Sequence, residues 1–316
     1  MNNPPIRVSM TLAFCMALLV AGCSSQRKLT DHTVLISPAW LHDHLGDPDL
    51  LLLHAGTAEI YDSVHIPGAR LIIPSRFTVD TDSIRYEMPP EDSIAALLRE
   101  AGVNNDSRVV LYYEDREYLT RTARVFVTMD RVGLGNRTYV LNGGLPAWQD
   151  EGREVTARMP ESEAGDMEVS HPREVVITAG ELDRQRWNPG MVVIDARSAE
   201  EYIGTPASGE VEAEGGHIEG ARSLPYQDFL EEGRSYLFRP DSILNDLTRN
   251  AGMDPHKQVV VYCGSGGRAS VSYLVAKHLG YPVLLFDGSY AEWTRLGLPL
   301  IGPVAQPDSM KKKPDL

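Results

Sequence analysis

Cys263 follows the apolar run Val259–Tyr262 and opens a glycine-rich loop. The five residues after it are Gly264, Ser265, Gly266, Gly267 and Arg268. A helical stretch comes next, so the thiol is expected at the positive end of a helix dipole. Glycines let successive N–H groups turn inward as a cradle for an anion. Such a cradle favours a thiolate and can hold the charge of a persulfide or of a sulfur donor, while Arg268 adds a cation at the rim.

The cysteine count leaves Cys263 as the single thiol of the folded part. The chain has three cysteines, and the other two, Cys15 and Cys23, lie in or directly after an apolar N-terminal segment. The folded part therefore cannot form an internal disulfide or a metal site of several cysteines. We expect no metal and no cofactor.

The chain contains two copies of one unit. The segment LLLHAGTAEIY (51–61) returns as VVIDARSAEEY (192–202), at a spacing of 141 residues. Four further pairs recur in the same order: ISPAWL (36–41) with ITAGEL (177–182), HIPGAR (65–70) with HIEGAR (217–222), RVVLYY (108–113) with QVVVYC (258–263), and LNGGLPAW (141–148) with FDGSYAEW (286–293). Five ordered matches indicate a tandem duplication.

Each copy alternates short β-branched runs with helical stretches, which predicts an α/β fold of two domains, each a mostly parallel sheet flanked by helices. Strands are predicted in the second copy at 191–195, 222–224, 258–262 and 283–286, and helices at 178–187, 198–202, 239–251 and 267–279. Ser37 and Thr178 are suitable N-cap residues. The predicted organisation is a signal peptide (1–22), a tether (23–32), a first domain (33–155), a polar linker (156–172), a second domain (173–303) and a flexible tail (304–316).

The second copy resembles a catalytic rhodanese domain. It has an Asp195-Ala196-Arg197 opening, a Gly-His-Ile-x-Gly-Ala segment at 216–221, a strand that leads into Cys263, and an Asp287-Gly288…Trp293 close. The extra residues between Tyr202 and His217 fall where two-domain members of the family carry an insertion. The resemblance implies a tandem-domain sulfurtransferase that uses thiosulfate or 3-mercaptopyruvate.

The chemistry that the resemblance implies is ping-pong transfer through a Cys263 persulfide. A small sulfur-donor anion would load the cysteine, and cyanide, a small thiol or a protein thiol would remove the outer sulfur. Gly264, Ser265, Gly266, Gly267 and Glu201 are the candidate substrate-binding residues, and Cys263 and Arg268 the catalytic ones.

Two departures from the family bear on the donor. The start Gly264-Ser265-Gly266 resembles mercaptopyruvate enzymes, whereas Arg268 is more like single-domain rhodaneses. Two-domain enzymes usually carry a substrate-binding arginine just before the aromatic that matches Tyr202, and this chain has Glu201. We expect Glu201 to repel an anionic donor by about 1 kcal/mol or more, unless Arg268 compensates or the donor is neither standard compound. Arg197 is interpreted as structural, paired with Asp195 or a neighbour.

The first copy lacks the site. Tyr113 stands at the position of Cys263, and it is followed by Glu114-Asp115-Arg116 instead of glycines. This half is expected to supply stability and one wall of the cleft. Arg116, Arg121 and Arg124 are interpreted as a solvated helix face rather than as site residues. Two pairs of repeated residues are interpreted as structural: His65 with His217, and Trp148 with Trp293.

The N-terminus resembles a lipoprotein signal. A 13-residue apolar run at 8–20 follows Arg7 and leads into Ala21-Gly22-Cys23. We expect cleavage before Cys23, lipidation of its thiol, and a membrane anchor in the cell envelope that faces the periplasm. Ser24 favours the outer membrane where one is present. The alternative is an ordinary signal peptide or an anchoring helix.

Composition and loop length exclude or disfavour other functions. The net charge of −14 argues against a nucleic-acid partner. Cysteine-dependent phosphatases use C-x5-R, whereas Arg268 arrives one place earlier, so phosphatase chemistry is a weak alternative. The main alternative is a non-catalytic sulfur-sensing, redox-sensing or binding lipoprotein, in which Cys263 is modified without turnover.

Overall fold

The computed structural model describes residues 33–81, 85–204 and 215–302. The predicted signal peptide, the predicted lipidation site Cys23, the tail 304–316 and most of the insertion before His217 lie outside these ranges. None of the helices within them has the length and apolar character needed to cross a membrane.

The first domain is built on a five-stranded parallel sheet in the order β1-β5-β4-β2-β3. Its strands are β1 (Leu35–Ile36), β2 (Leu50–Ala55), β3 (Arg70–Ile72), β4 (Arg108–Tyr113) and β5 (Thr138–Leu141). Its helices are α1 (Pro38–His44), α2 (Ala58–Ser63), α3 (Glu91–Glu100), α4 (Leu119–Arg131) and α5 (Gly144–Asp150).

The second domain repeats this arrangement with a parallel sheet in the order β12-β11-β6-β8. Its strands are β6 (Met191–Asp195), β7 (His217–Ile218), β8 (Arg222–Ser223), β9 (Leu230–Glu231), β10 (Arg234–Phe238), β11 (Gln258–Tyr262), β12 (Val283–Leu285) and β13 (Leu300–Ile301). Its helices are α6 (Ala179–Gln185), α7 (Ala199–Ile203), α8 (Asp241–Asn250), α9 (Gly267–His278) and α10 (Ser289–Arg295). The pairs β9–β10 and β7–β13 are antiparallel.

The predicted elements of the second copy are present, with ends displaced by two residues at most. Strands β6 and β11 match their predicted bounds, and α9 ends one residue early. Thr178 forms a capping box with Glu181, and the Ser37 side chain accepts a hydrogen bond from the Trp40 N–H. Both predicted N-caps are therefore confirmed.

The two domains share a tightly packed interface in which α4 lies against α9. Asp130 on α4 is fully buried there, and its carboxylate accepts a hydrogen bond from Tyr273 Oη (2.7 Å) and pairs with Lys277 Nζ (2.8 Å). One apolar cluster contains buried side chains from both domains, such as Phe126 and Leu274. The domains therefore hold a cleft between them in a fixed geometry.

The predicted linker lies against the first domain. Thr156 pairs with His65 across an antiparallel bridge. Met167 is 1% exposed, and its N–H donates to the Val103 carbonyl. Although 156–172 is acidic in composition, the buried Met167 anchors it to the first domain. The segment therefore covers part of this domain before the second domain begins.

Candidate active site

Cys263 is 1% exposed and lies directly after β11, where the chain turns into α9. Its N–H donates to Ser289 Oγ (3.2 Å), and its carbonyl accepts from the Tyr290 N–H (3.0 Å). The Gly264 carbonyl accepts from the Ala291 N–H (3.1 Å). The start of α10 therefore fixes the backbone on both sides of the thiol.

Ser289 has an uncommon backbone conformation, with φ at 53° in a residue that is not glycine. The matching residue of the first copy is Gly144, at φ 57°. Ser289 is fully buried, and its hydroxyl donates to the Phe286 carbonyl while accepting from Cys263. These bonds offset a strain of about 1–3 kcal/mol and place Ser289 behind the thiol. Sequence reasoning missed this residue, although a serine opposite a glycine in the repeat was visible.

Gly264, Ser265 and Gly266 connect Cys263 to α9, whose first two residues are Gly267 and Arg268. Gly266 caps α9 at φ 90°, a value that favours glycine. A Cβ there would also lie 3.0 Å from Asp287 Oδ1 and 3.4 Å from Arg124 Nη1. The N–H groups of the first turn of α9 have no helical carbonyl to bond. They are available to bond an anion at the start of α9.

Glu201 and Arg268 form a bidentate ion pair at 2.6 and 2.9 Å. Both side chains are about one-third exposed. Burial raises the pKa of Glu201, but hydrogen bonds from Arg268 and Ser198 lower it more, so the carboxylate is ionised at neutral pH. Arg268 therefore compensates Glu201, which is one of the alternatives that the sequence left open, and each group neutralises the other.

Arg197 is held inside the domain, as interpreted from the sequence. Its guanidinium forms a bidentate pair with Asp195 (2.6–3.1 Å) and donates to the Gly216 carbonyl. Tyr262 Oη donates to the same carboxylate and accepts from the Ile218 N–H. This network fixes the end of β11, one residue before the thiol.

The first domain reaches the loop through Arg124, whose interpretation as a solvated residue is wrong. Arg124 is fully buried and forms a bidentate pair with Asp287 across the domain interface. Its Nη2 donates to the Tyr86 carbonyl (2.8 Å), and the Met88 N–H donates to Asp287 Oδ2 (2.9 Å). One signal could have pointed here: Asp287 of the second copy corresponds to Asn142 of the first, so only the copy with Cys263 offers a carboxylate. Arg116 and Arg121 are exposed, as interpreted.

Tyr86 forms a wall of the site from the first domain and was also missed. Its φ is 69°, and a Cβ on Gly267 would lie 3.3 Å from its ring. Burial raises the pKa of Tyr86, against the effect of Arg124 and Arg121, and the Cys263 thiolate raises it further. The phenol is therefore a neutral hydrogen-bonding group close to the thiol.

At the corresponding position of the first domain, Tyr113 is completely buried. Its hydroxyl accepts from the Gly143 N–H (2.8 Å) and donates to the Tyr236 carbonyl of β10 (2.5 Å). Burial raises the pKa of Tyr113. The strand end that holds the thiol in one domain is thus a docking point between domains in the other.

The repeated histidines and tryptophans are structural. His65 Nδ1 donates to the Tyr61 carbonyl (2.6 Å), and His217 Nδ1 donates to the Tyr202 carbonyl (2.9 Å). Trp148 and Trp293 are 1% and 0% exposed. Within the described ranges, no group of three or more histidine, cysteine, aspartate and glutamate side chains could hold a metal ion.

Comparison with known proteins agrees with this architecture. The rhodanese-like domain model matches residues 37–151 and again 178–296. The thiosulfate sulfurtransferase of Pseudomonas aeruginosa is 32% identical over 84% of this chain and 95% of its own length. That of Azotobacter vinelandii is 31% identical over 82% of this chain and 93% of its own length.

A solved structure with the same architecture is SseA from Escherichia coli, described with the rhodanese fold of 3-mercaptopyruvate sulfotransferases. It superposes with a TM-score of 0.69 at 25% identity, and the match covers 82% of this chain and 99% of SseA. The chain belongs to the rhodanese family.

Proposed function

We propose that this protein is a sulfurtransferase that moves a sulfane sulfur from thiosulfate or 3-mercaptopyruvate to cyanide or a thiol through a persulfide on Cys263. The observation that carries the proposal is the placement of the buried Cys263 thiol, the single free thiol among the described residues, shortly before α9 in a loop that both domains contact. The named activities of the relatives support the same chemistry.

The reaction has two displacements. The Cys263 thiolate attacks the outer sulfur of thiosulfate, the S–S bond breaks, and sulfite leaves with the bonding electron pair. With 3-mercaptopyruvate the C–S bond breaks instead, the bonding electron pair leaves with carbon as the enolate of pyruvate, and a proton from solvent converts this enolate to pyruvate. A nucleophilic acceptor then takes the outer sulfur and returns the thiolate.

The neighbouring residues support these displacements without taking protons. The N–H groups of the loop stabilise negative charge on the attacked or bound sulfur. Arg268 lies against the thiol; burial lowers the pKa of this guanidinium, but the hydrogen bonds to Glu201 and the negative charge of Cys263 raise it more. Arg268 therefore stays charged throughout the cycle and helps to stabilise the thiolate.

The intact mass of the purified protein tests the proposal. Incubation with thiosulfate or 3-mercaptopyruvate is expected to add one sulfur atom at Cys263, and cyanide is expected to remove it with formation of thiocyanate. Cys263→Ser is expected to lower turnover by about a thousandfold or more, because the nucleophile is lost. Full activity of Cys263→Ser would contradict the mechanism.

The alternative of a sulfur-sensing or redox-sensing protein is favoured by the neutralised pair Glu201–Arg268, which leaves this pair no net charge to attract an anionic donor. A sensor would show one sulfur on Cys263 but no repeated turnover with any donor and cyanide. Multiple turnovers contradict the sensing function.

We propose further that the protein is lipid-anchored in the cell envelope and faces the periplasm. The support is the sequence pattern at 8–23. Cys23→Ala is expected to release the protein from the membrane fraction or to leave it uncleaved. Unchanged membrane attachment and unchanged processing of Cys23→Ala would contradict the lipid anchor.

A further inference from the structure

Glu201 is held in place by its own helix as well as by Arg268. It is the third residue of α7, and its carboxylate accepts from the Ser198 N–H (3.1 Å) while its N–H donates to Ser198 Oγ (3.2 Å). The two hydrogen bonds of this capping box hold the carboxylate in one position, whatever the charge of the site. Glu201 is therefore a fixed negative charge at the rim of the site.

Arg268 is shared between two anions. Its guanidinium bonds both oxygens of Glu201 and also lies against Cys263, and a Cβ on Gly264 would lie 3.2 Å from its Nη2. With Cys263 ionised, this group of one cation and two anions carries a net charge of −1. The loop N–H groups must then stabilise the remaining charge.

The other two buried arginines described around the loop are also neutralised. Arg197 is paired with Asp195, and Arg124 is paired with Asp287. Beyond Asp287 a groove of about 710 Å³ runs between the domains. Five glutamates and one arginine line it: Glu87, Glu91, Glu174, Glu181, Glu292 and Arg131. The three ion pairs beside Cys263 are therefore neutral, and the groove beyond Asp287 is acidic.

We propose that the Glu201–Arg268 pair makes Cys263 selective for thiol hydropersulfides, whose reacting sulfur atoms carry at most one negative charge, over the dianion thiosulfate. This inference rests on the proposed sulfur transfer and narrows its donor. The step balances: the Cys263 thiolate attacks the outer sulfur of R–S–SH, the S–S bond breaks, and R–S⁻ leaves with the electron pair. The proton stays on the transferred sulfur, and no oxidant is consumed.

The test compares rates of Cys263 loading in single-turnover reactions. The donors are thiosulfate and the hydropersulfide of 2-mercaptoethanol, whose carbon skeleton carries no charge. The variants are wild type, Glu201→Gln, and the matched control Glu200→Gln, which removes the same charge from the exposed neighbouring residue. Glutamine also serves at the third position of a capping box, so Glu201→Gln is expected to keep the fold.

Glu201→Gln is expected to raise thiosulfate loading about tenfold or more, because one repulsive charge is removed and Arg268 is released. Hydropersulfide loading should change less than about threefold, and Glu200→Gln should change neither. Thiosulfate loading of wild type should rise with ionic strength, which screens repulsion, and this slope should fall in Glu201→Gln.

Equal changes with both donors, or no change with thiosulfate, would overturn the selectivity while leaving the Cys263 persulfide in place. If no donor loads Cys263 in any variant, the proposed sulfur transfer fails, and the selectivity fails with it. The two proposals are therefore separated by whether sulfur is found on Cys263 at all.

Discussion

The strands β4 and β11 are equivalent in the two domains, yet the residues at their ends have different partners. Tyr113 fills the first strand end with a phenol that bonds Gly143 and Tyr236, and the residues after it are charged. At the end of the second strand stands Cys263, whose side chain is a small thiol, and a glycine-rich turn comes after it. The difference shows how a duplicated unit can keep its fold in both copies, while the same strand end holds a thiol in one copy and a contact between the domains in the other.

The residues beneath the two strand ends show the same divergence. In the second domain Tyr262 Oη donates to Asp195, and in the first Tyr112 Oη contacts Nδ1 of the buried His54 (3.0 Å). Glu114, 3.4 Å from His54 Nε2, accepts from the Thr57 N–H (2.8 Å). A buried ion pair has thus been replaced by a histidine that is neutral at pH 7, since burial lowers the pKa of His54 to about 4.

The contrast between the two strand ends would be contradicted if a cysteine at the end of β4 could transfer sulfur. We expect the double variant Tyr113→Cys with Cys263→Ser to be as inactive as Cys263→Ser alone, about a thousandfold or more below wild type. A thiol at 113 would lack the glycine turn and would lie under β10. Thiocyanate formation from thiosulfate and cyanide measures this, and any activity above that of Cys263→Ser would mean that the strand end alone suffices.

Removal of Arg124 should have the next largest effect, on both stability and activity. Arg124→Met leaves Asp287 without its buried cation and is expected to lower the free energy of unfolding by about 3–5 kcal/mol. Chemical denaturation measures the stability, and Cys263 loading measures the site. Arg121→Met, on the exposed face of the same helix, is the control. Equal effects of the two substitutions would contradict the role given to Arg124.

His54 makes stability depend on pH. Its folded pKa of about 4 lies below the ordinary value of 6.5, so the folded state disfavours the protonated ring. The contribution is fully present above pH 6.5 and is lost as pH falls toward 4, by about 3 kcal/mol. Glu114 opposes part of this near its own titration, because burial raises its pKa.

The unfolding free energy of His54→Asn, measured between pH 4 and 7, isolates this contribution. The variant should lose the part of the slope that His54 contributes, about 3 kcal/mol between pH 6.5 and 4. His42→Asn, at an exposed histidine, should keep the slope. An unchanged slope in His54→Asn would show that His54 is not the source.

The smallest effect is expected for Tyr113→Phe. The substitution keeps the ring and removes the hydroxyl, so Gly143 N–H and the Tyr236 carbonyl each lose a partner. We expect a loss of about 1–3 kcal/mol in unfolding free energy with nearly normal sulfur transfer. Denaturant titration measures the first, and thiocyanate formation the second. A large loss of activity without loss of stability would show that Tyr113 acts on the active site.

Local patterns carried much of the fold and the centre of the site. An apolar run that ends in a glycine turn predicted strand β11, which leads into Cys263, because strand burial and glycine turns are encoded by neighbouring residues. The N-caps Ser37 and Thr178 were predictable for the same reason. Arg124 and Tyr86 were not, because their partners lie in the other domain or far along the chain.

The amino-acid sequence by itself determined the duplication, the α/β fold, the single thiol and its glycine-rich loop, since each can be found by comparing, counting or reading residues along the chain without knowing any distance in space. Only the tertiary structure decided the charges around that thiol. Glu201 and Arg268 are 67 residues apart, and Arg124 and Asp287 are 163 apart. Whether such groups neutralise one another depends on distances of a few ångströms, which no local pattern of residues specifies.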